Sequence, residues 1–175
     1  MNREARGVFM AQSAYLLLVM LGAGLADPAL AGQEKLQWEV PADLAATTPV
    51  RRVFLEVRLA ETEPVRGLTF EAPVKGSEKK VHIHYATVVT NGDLLKARVV
   101  EIRGRYEVGV TLTPPGAGKM TEATSRHAGR PLAIILDGEI VAVQTVRQAL
   151  ASEMIFSGDF TQADAVRIVA GLNKW

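Results

Sequence analysis

The stretch GRPLAIILDGEIVAVQTV, residues 129–146, followed shortly by FSGDFTQADAVRIVAGL, residues 156–172, decides the fold. Two apolar, β-branched runs flank Asp137-Gly138, a dipeptide that tolerates the positive φ a type I′ turn demands, so the first stretch predicts a β-hairpin. In the second, Thr161 with Asp164 three positions on forms a capping-box-like helix start. Ala165, Val166, Ile168, Val169 and Leu172 then recur at helical spacing, which predicts an amphipathic helix closing the chain.

Upstream, VFLEVRLAE at residues 53–61 alternates, with Val53, Leu55, Val57 and Leu59 on one side, and predicts a half-buried strand. Residues 61–80, broken by Pro64, Gly67, Pro73 and Gly76, read as a loop with a short strand at residues 68–70. The β-branched residues 81–89 predict strand; Asn91-Gly92-Asp93 marks a turn that starts a short helix through Leu94 and Leu95, before residues 97–102 return to extended structure. Tyr106, Val108, Val110 and Leu112 alternate and predict another strand, stopped by Pro114-Pro115-Gly116. In residues 118–128, Met120, Ala123 and His127 fall on one helical face. Gly129 sits where a C′ glycine would end that helix, and Pro131 opens the hairpin where its missing donor costs least. Strands followed by helices that can cover one sheet face define the expected class, an α+β two-layer sandwich, mostly antiparallel, with two main helices on one face.

Arg3 and Arg6, the apolar run at residues 14–25 and the small-residue sequence Ala29-Leu30-Ala31 match the three regions of an export signal, with cleavage expected after Ala31. The competing reading is an uncleaved membrane anchor, for which the run is short of the ~20 apolar residues that span a bilayer. Both readings put the rest of the chain outside the cytosol, in the periplasm or otherwise exported, touching the membrane only through this segment. Residues 32–50, with Pro41, Pro49 and little periodicity, read as a linker, leaving residues 51–175 as the folded domain. A length of 175 residues suits one domain, and a 48% hydrophobic share supports a buried core. Twenty basic and nineteen acidic residues leave a net charge of +1 with no basic block, so nucleic acid is not an expected partner. The absence of cysteine excludes a disulfide framework, thiol catalysis and cysteine-ligated metal.

Chemistry-bearing residues are sparse. His82 and His84, two apart in a strand, point to one face as metal ligands could, yet a zinc site needs further ligands, and two surface imidazoles explain the pair more simply. Ser125, His127 and Asp137 have the residue types of a hydrolase triad without a nucleophile elbow, and Ser125 and His127 would face apart on a helix. Gly116 and Gly118 near Lys119 lack the spacing of a phosphate loop. No catalytic residue and no cofactor is expected. Trp38 and Trp175, in the linker and at the last position, are expected to dock on the domain itself.

Four segments, VVTNGDLLKARV, YEVGVTLTPPGAGKMTEAT, GRPLAIILDGEIVAVQTV and SGDFTQADAVRIVAGL, resemble in order the head subdomain of the first periplasmic domain of SecD, a subunit of the bacterial protein-export machinery. The resemblance runs from about Val53 to Leu172. Asn91 is an extra residue in the family's threonine-glycine-aspartate turn, and residues 116–119 replace its usual polar helix start. Membrane helices that couple proton flow to transport in SecD have no counterpart up to Trp175, so proton coupling is not carried over. The resemblance implies a non-enzymatic, exported module that contacts unfolded or emerging polypeptide, with translocase subunits as further partners. An exposed sheet edge or apolar groove would hold extended chain, and the residues expected to touch it are Asp137, Gly138, Gln144 and Thr145 in the hairpin. Two rival expectations are a periplasmic partner-docking or envelope-stress protein that keeps the fold without a translocation role, and a metal-binding protein using His82 and His84.

Overall fold

The computed structural model describes residues 50–175 and, as backbone, the strand Leu36–Trp38. The export segment read in residues 1–31 and the Trp38 side chain lie outside the described residues. Among the described residues no helix is long and apolar enough to cross a membrane.

Among the described residues, nine strands and two helices make an α+β fold. In chain order they are β1 (Leu36–Trp38), β2 (Leu55–Glu61), β3 (Thr69–Pro73), β4 (Lys80–Thr90), β5 (Leu94–Ile102), β6 (Arg105–Leu112), α1 (Pro114–Ser125), β7 (Pro131–Leu136), β8 (Glu139–Thr145), β9 (Glu153–Ser157) and α2 (Gln162–Leu172). The strands divide into two antiparallel sheets, one ordered β1-β5-β6-β9 and the other β3-β4-β2-β7-β8. Helix α2 packs on β5 and β6, whereas α1 reaches β6 of the first sheet and β4 of the second. Met120 of α1, Met154 and Phe156 of β9, Val108 and Val110 of β6, Leu55 and Val57 of β2, and Leu132 and Ile134 of β7 are fully buried. The stretch read as linker contains β1, whose Gln37 stands opposite Val100 of β5.

The hairpin forms as expected. Asp137 and Gly138 take φ of 49° and 86°, and Leu136 pairs with Glu139 across the two-residue turn. A second turn of the same kind, Arg103-Gly104 with φ of 53° and 74°, joins β5 to β6. At α2, the Thr161 hydroxyl accepts from the Asp164 backbone N–H and the Asp164 carboxylate accepts from the Thr161 N–H, completing the capping box. Ala165, Ile168, Val169 and Leu172 are buried on its inner face.

Three local expectations change. Leu94 and Leu95 are strand, because the polar turn before them is a single 3-10 turn, Asn91–Asp93, pinned on both sides. Asn91 Oδ1 accepts from Leu55 N–H at 2.6 Å, its Nδ2 donates to Val53 O at 3.0 Å, and Asp93 O accepts from Thr113 N–H at 2.9 Å, so the chain leaves extended. Helix α1 begins at Pro114 rather than near Gly118: Thr113 caps it by accepting from Gly116 N–H, and proline at the first helical position gives up only a donor that had no helical partner. It ends at Ser125, so His127 lies beyond the helix and Met120 and Thr124 form its buried stripe. The alternation of β2 also breaks, since Ala60 and Glu61 are both buried. There the second face of the strand is covered as well, by residues of the curled five-stranded sheet described next.

Candidate functional site

The five-stranded sheet curls until its two edges meet at one end. Val74, just past β3, bridges to Ile140 of β8, and Lys75 N–H donates to Ile140 O at 2.8 Å. Curling requires strong local bending, and β4 supplies it: three residue steps of β2, Val57 to Ala60, match six of β4, Val89 to Ile83. Arg58 fills this bulge. Its Nη1 donates to Tyr85 O at 2.9 Å and His84 O at 3.3 Å, while Nε and Nη2 hold Glu56 Oε2 at 2.7 and 2.6 Å.

The concave side of the half-barrel is apolar. Ala60, Val81, Ile83, Ala133, Ile135 and Ile140 form a buried cluster, with Phe70, Ala72 and Val74 packed against it. Between β3 and β8 this interior opens as a groove of about 310 Å³, with Ile83, Ile135 and Ile140 at its base and Gly138 and Pro73 at its margins. The charged groups on its lining are paired, Glu56 with Arg58 and Lys75 with Glu139. At the β3 end, Phe70 stacks on Tyr85 with ring centroids 5.0 Å apart, and Tyr85 and Leu68 are 61% and 54% exposed. The result is a largely apolar depression beside a sheet edge, with no Ser, Thr, Cys or His on its lining.

Of the four residues expected to touch polypeptide, Gly138 lines this groove. Thr145 is exposed at the far end of β8. Asp137 extends the sheet: its N–H donates to Phe54 O and its Oδ1 accepts from Phe54 N–H, both at 2.8 Å. Gln144 is buried, with Nε2 donating to Ile155 O of β9, and links the two sheets. The fold therefore does not bring the four together.

His82 and His84 are half-buried rather than on an exposed face. His84 Nε2 lies 3.1 Å from Glu61 Oε1, which also accepts from Arg130 Nη1 at 3.3 Å, and the His127 ring stands edge-on to His84 at 6.0 Å. Among the described residues no group of three or more His, Cys, Asp or Glu side chains is placed to hold a metal ion. His127 is buried with Nε2 2.9 Å from Ala60 O, and Ser125 donates to Glu122 O, so neither belongs to a triad with Asp137 at the distant hairpin tip. Trp175 docks on the domain: its Nε1 donates to Val53 O at 2.9 Å, its ring meets Phe54 edge-on, and Arg52 lies over it.

Sequence reasoning missed Glu56, Arg58, Phe70, Ala72 and Ile83. An opposite-charge pair two apart in an otherwise apolar strand, Glu56 and Arg58, was the available signal, since both point to one face.

The SecDF P1 head subdomain family matches residues 68–174, more than half of the chain. The protein translocase subunit SecD of Koribacter versatilis is 29% identical over 171 residues, covering 91% of this chain and 30% of that protein. The protein translocase subunit SecDF of Thermus thermophilus is 42% identical over 64 residues, covering 36% of this chain and 9% of that protein. The chain thus spans less than a third of these relatives. Among solved structures, SecDF described as a membrane component that enhances protein export superposes with a TM-score of 0.55 at 26% identity, over 70% of this chain and 63% of that one. SecDF in a super-membrane-facing form superposes with a TM-score of 0.57, also at 26% identity, over 75% of this chain and 20% of that one. The matched segment runs from just before β3 through α2 and so takes in both walls of the groove: the chain belongs to the SecDF P1 head subdomain family.

Proposed function

We propose that this chain is a non-enzymatic module of protein export, acting on the outer side of the inner membrane, whose half-barrel groove holds extended segments of unfolded polypeptide. The observation that carries the reading is the apolar interior left open between β3 and β8, with its lining charges already paired. An unfolded chain offers apolar side chains that a folded protein hides, and a groove without free charge takes many such sequences with little selection among them. Gly138 borders the occupied space, and Thr145 lies further along β8. Membership of the SecDF P1 head subdomain family supports translocase subunits as partners.

The test uses a disulfide-rich protein in two forms, native and permanently unfolded by reduction and carboxymethylation. The purified chain is expected to bind the unfolded form and not the native one. Ala72→Trp, which fills the groove from a half-buried position, is expected to weaken that binding about ten-fold. Equal and negligible binding of both forms, or binding indifferent to Ala72→Trp, would sink the proposal.

A further inference from the structure

The two ends of residues 50–175 meet at one place. Val53 N–H donates to Gly171 O, Lys174 Nζ donates to Val50 O at 3.0 Å, and Trp175 Nε1 donates to Val53 O at 2.9 Å. The turn between β4 and β5 closes the same end, since Asn91 Nδ2 also donates to Val53 O. The fit is close, because a side chain at Gly171 would strike Val53 and the Arg51 carbonyl. Large apolar groups and unpaired cations face solvent together here. Trp175 is 58% exposed and Phe54 39%, while Leu95, 69% exposed, lies two positions before Ala97, whose N–H and carbonyl are both held by Asn173. Arg51, Arg52 and Lys174 are exposed, and none of them is in an ion pair among the described residues. Arg52 lies over the Trp175 ring, 5.2 Å from its centroid. Asp137 is the acidic side chain that the contacts bring to this end, and its Oδ1 is engaged by Phe54 N–H.

We propose that this end of the domain rests on an anionic lipid surface. A tryptophan whose N–H is already satisfied enters the headgroup region without losing a hydrogen bond, and Phe54 and Leu95 widen the apolar contact. Arg51, Arg52 and Lys174 reach lipid phosphates from their long stems. Two observations favour a membrane over a protein as the occupant. The exposed cations complement the charge of phospholipid headgroups and surround aromatic rings, the pairing that suits the boundary between water and acyl chains. The chain coming from the apolar run at residues 14–25 also enters here: β1 pairs with β5, the strand that Asn173 holds, and Val50 is bonded by Lys174. A bilayer that takes up that run meets this patch at high effective concentration. Three basic residues at about five-fold each strengthen partition roughly a hundred-fold at low salt, so the contact is reversible and not an anchor.

Fluorescence of the full chain carrying Trp38→Phe, in which Trp175 is the single tryptophan, tests this. Vesicles of phosphatidylglycerol mixed with brominated phosphatidylcholine are expected to quench Trp175, whereas vesicles of brominated phosphatidylcholine alone are not. Added salt reverses the quenching. Arg51→Gln with Lys174→Gln is expected to raise the lipid concentration at half-quenching about 25-fold, at five-fold per charge. Both side chains are exposed, so the thermal melt of that variant stays that of the parent. Quenching indifferent to lipid charge and to these substitutions overturns the proposal, because the apolar run would then bring the domain to the bilayer without the patch. Trp175 left unquenched by both kinds of vesicle overturns it as well, and assigns the patch to a protein surface.

Discussion

Asn91, buried in the turn between β4 and β5, takes the place of a neighbouring strand for the start of β2. Its carboxamide accepts from Leu55 N–H and donates to Val53 O, satisfying two backbone groups that no ladder reaches. The insertion was visible in the sequence as one residue too many for the family's turn; its purpose was not, because Leu55 is 36 positions away. Asn91→Ala orphans Leu55 N–H and leaves Val53 O to Trp175 Nε1 alone, and is expected to cost about 1–3 kcal/mol in urea unfolding. Asp93 in the same turn titrates in a predictable direction. Burial opposes its ionisation, but the Lys119 ammonium at 2.8 Å and the Thr90 N–H outweigh that and hold its carboxyl below the ordinary aspartate value. A depressed folded-state value means the stabilisation is complete above about pH 4 and is lost as pH falls through the folded value. Asp93→Asn is therefore expected to be less stable than the parent by about 1 kcal/mol at pH 7, a modest figure because Lys119 is more than half exposed. The difference should narrow steadily below pH 4 in unfolding curves measured at several pH values.

Elements were legible where local chemistry decides them. Hairpin β7–β8 and helix α2 carry their own instructions, positive-φ residues at the turn and a reciprocal cap at the helix start, and both formed where expected. Gly138→Val places a β-branched residue at φ of 86° and is expected to lower stability by about 1–3 kcal/mol while leaving α2 intact, as a shifted thermal melt with an unchanged helical signal would show. Helix α1 was misplaced by four residues although its signals were present. Pro114, the first helical residue after the Thr113 cap, was read only as the stop of a strand, and proline serves both purposes. Leu94 and Leu95 were misread for the opposite reason: nothing local chooses strand there, and pairing with β6 does.

At the scale of the whole molecule, the buried residues of the two sheets and two helices depend on one another. Phe156 is fully exposed to none of the solvent, lies opposite Val108 in its own sheet and meets Phe160 edge-on, while Gln144 ties the neighbouring β9 carbonyl to the other sheet. Phe156→Ala is expected to cost about 3–5 kcal/mol. In a Trp38→Phe background, tryptophan fluorescence, reporting Trp175 beside β2, and far-ultraviolet circular dichroism should shift to the same lower midpoint; separate midpoints would show that the sheets unfold apart. Periodicity, turn residues and caps determined the α+β class, the hairpin, the closing helix and the family resemblance, because each is set by neighbours a few positions apart. Which strands share a sheet, the meeting of Val74 with Ile140, the burial of both faces of β2 and the groove this leaves were decided only in three dimensions. Those features rest on pairings between residues tens of positions apart, to which an alternating strand pattern is indifferent.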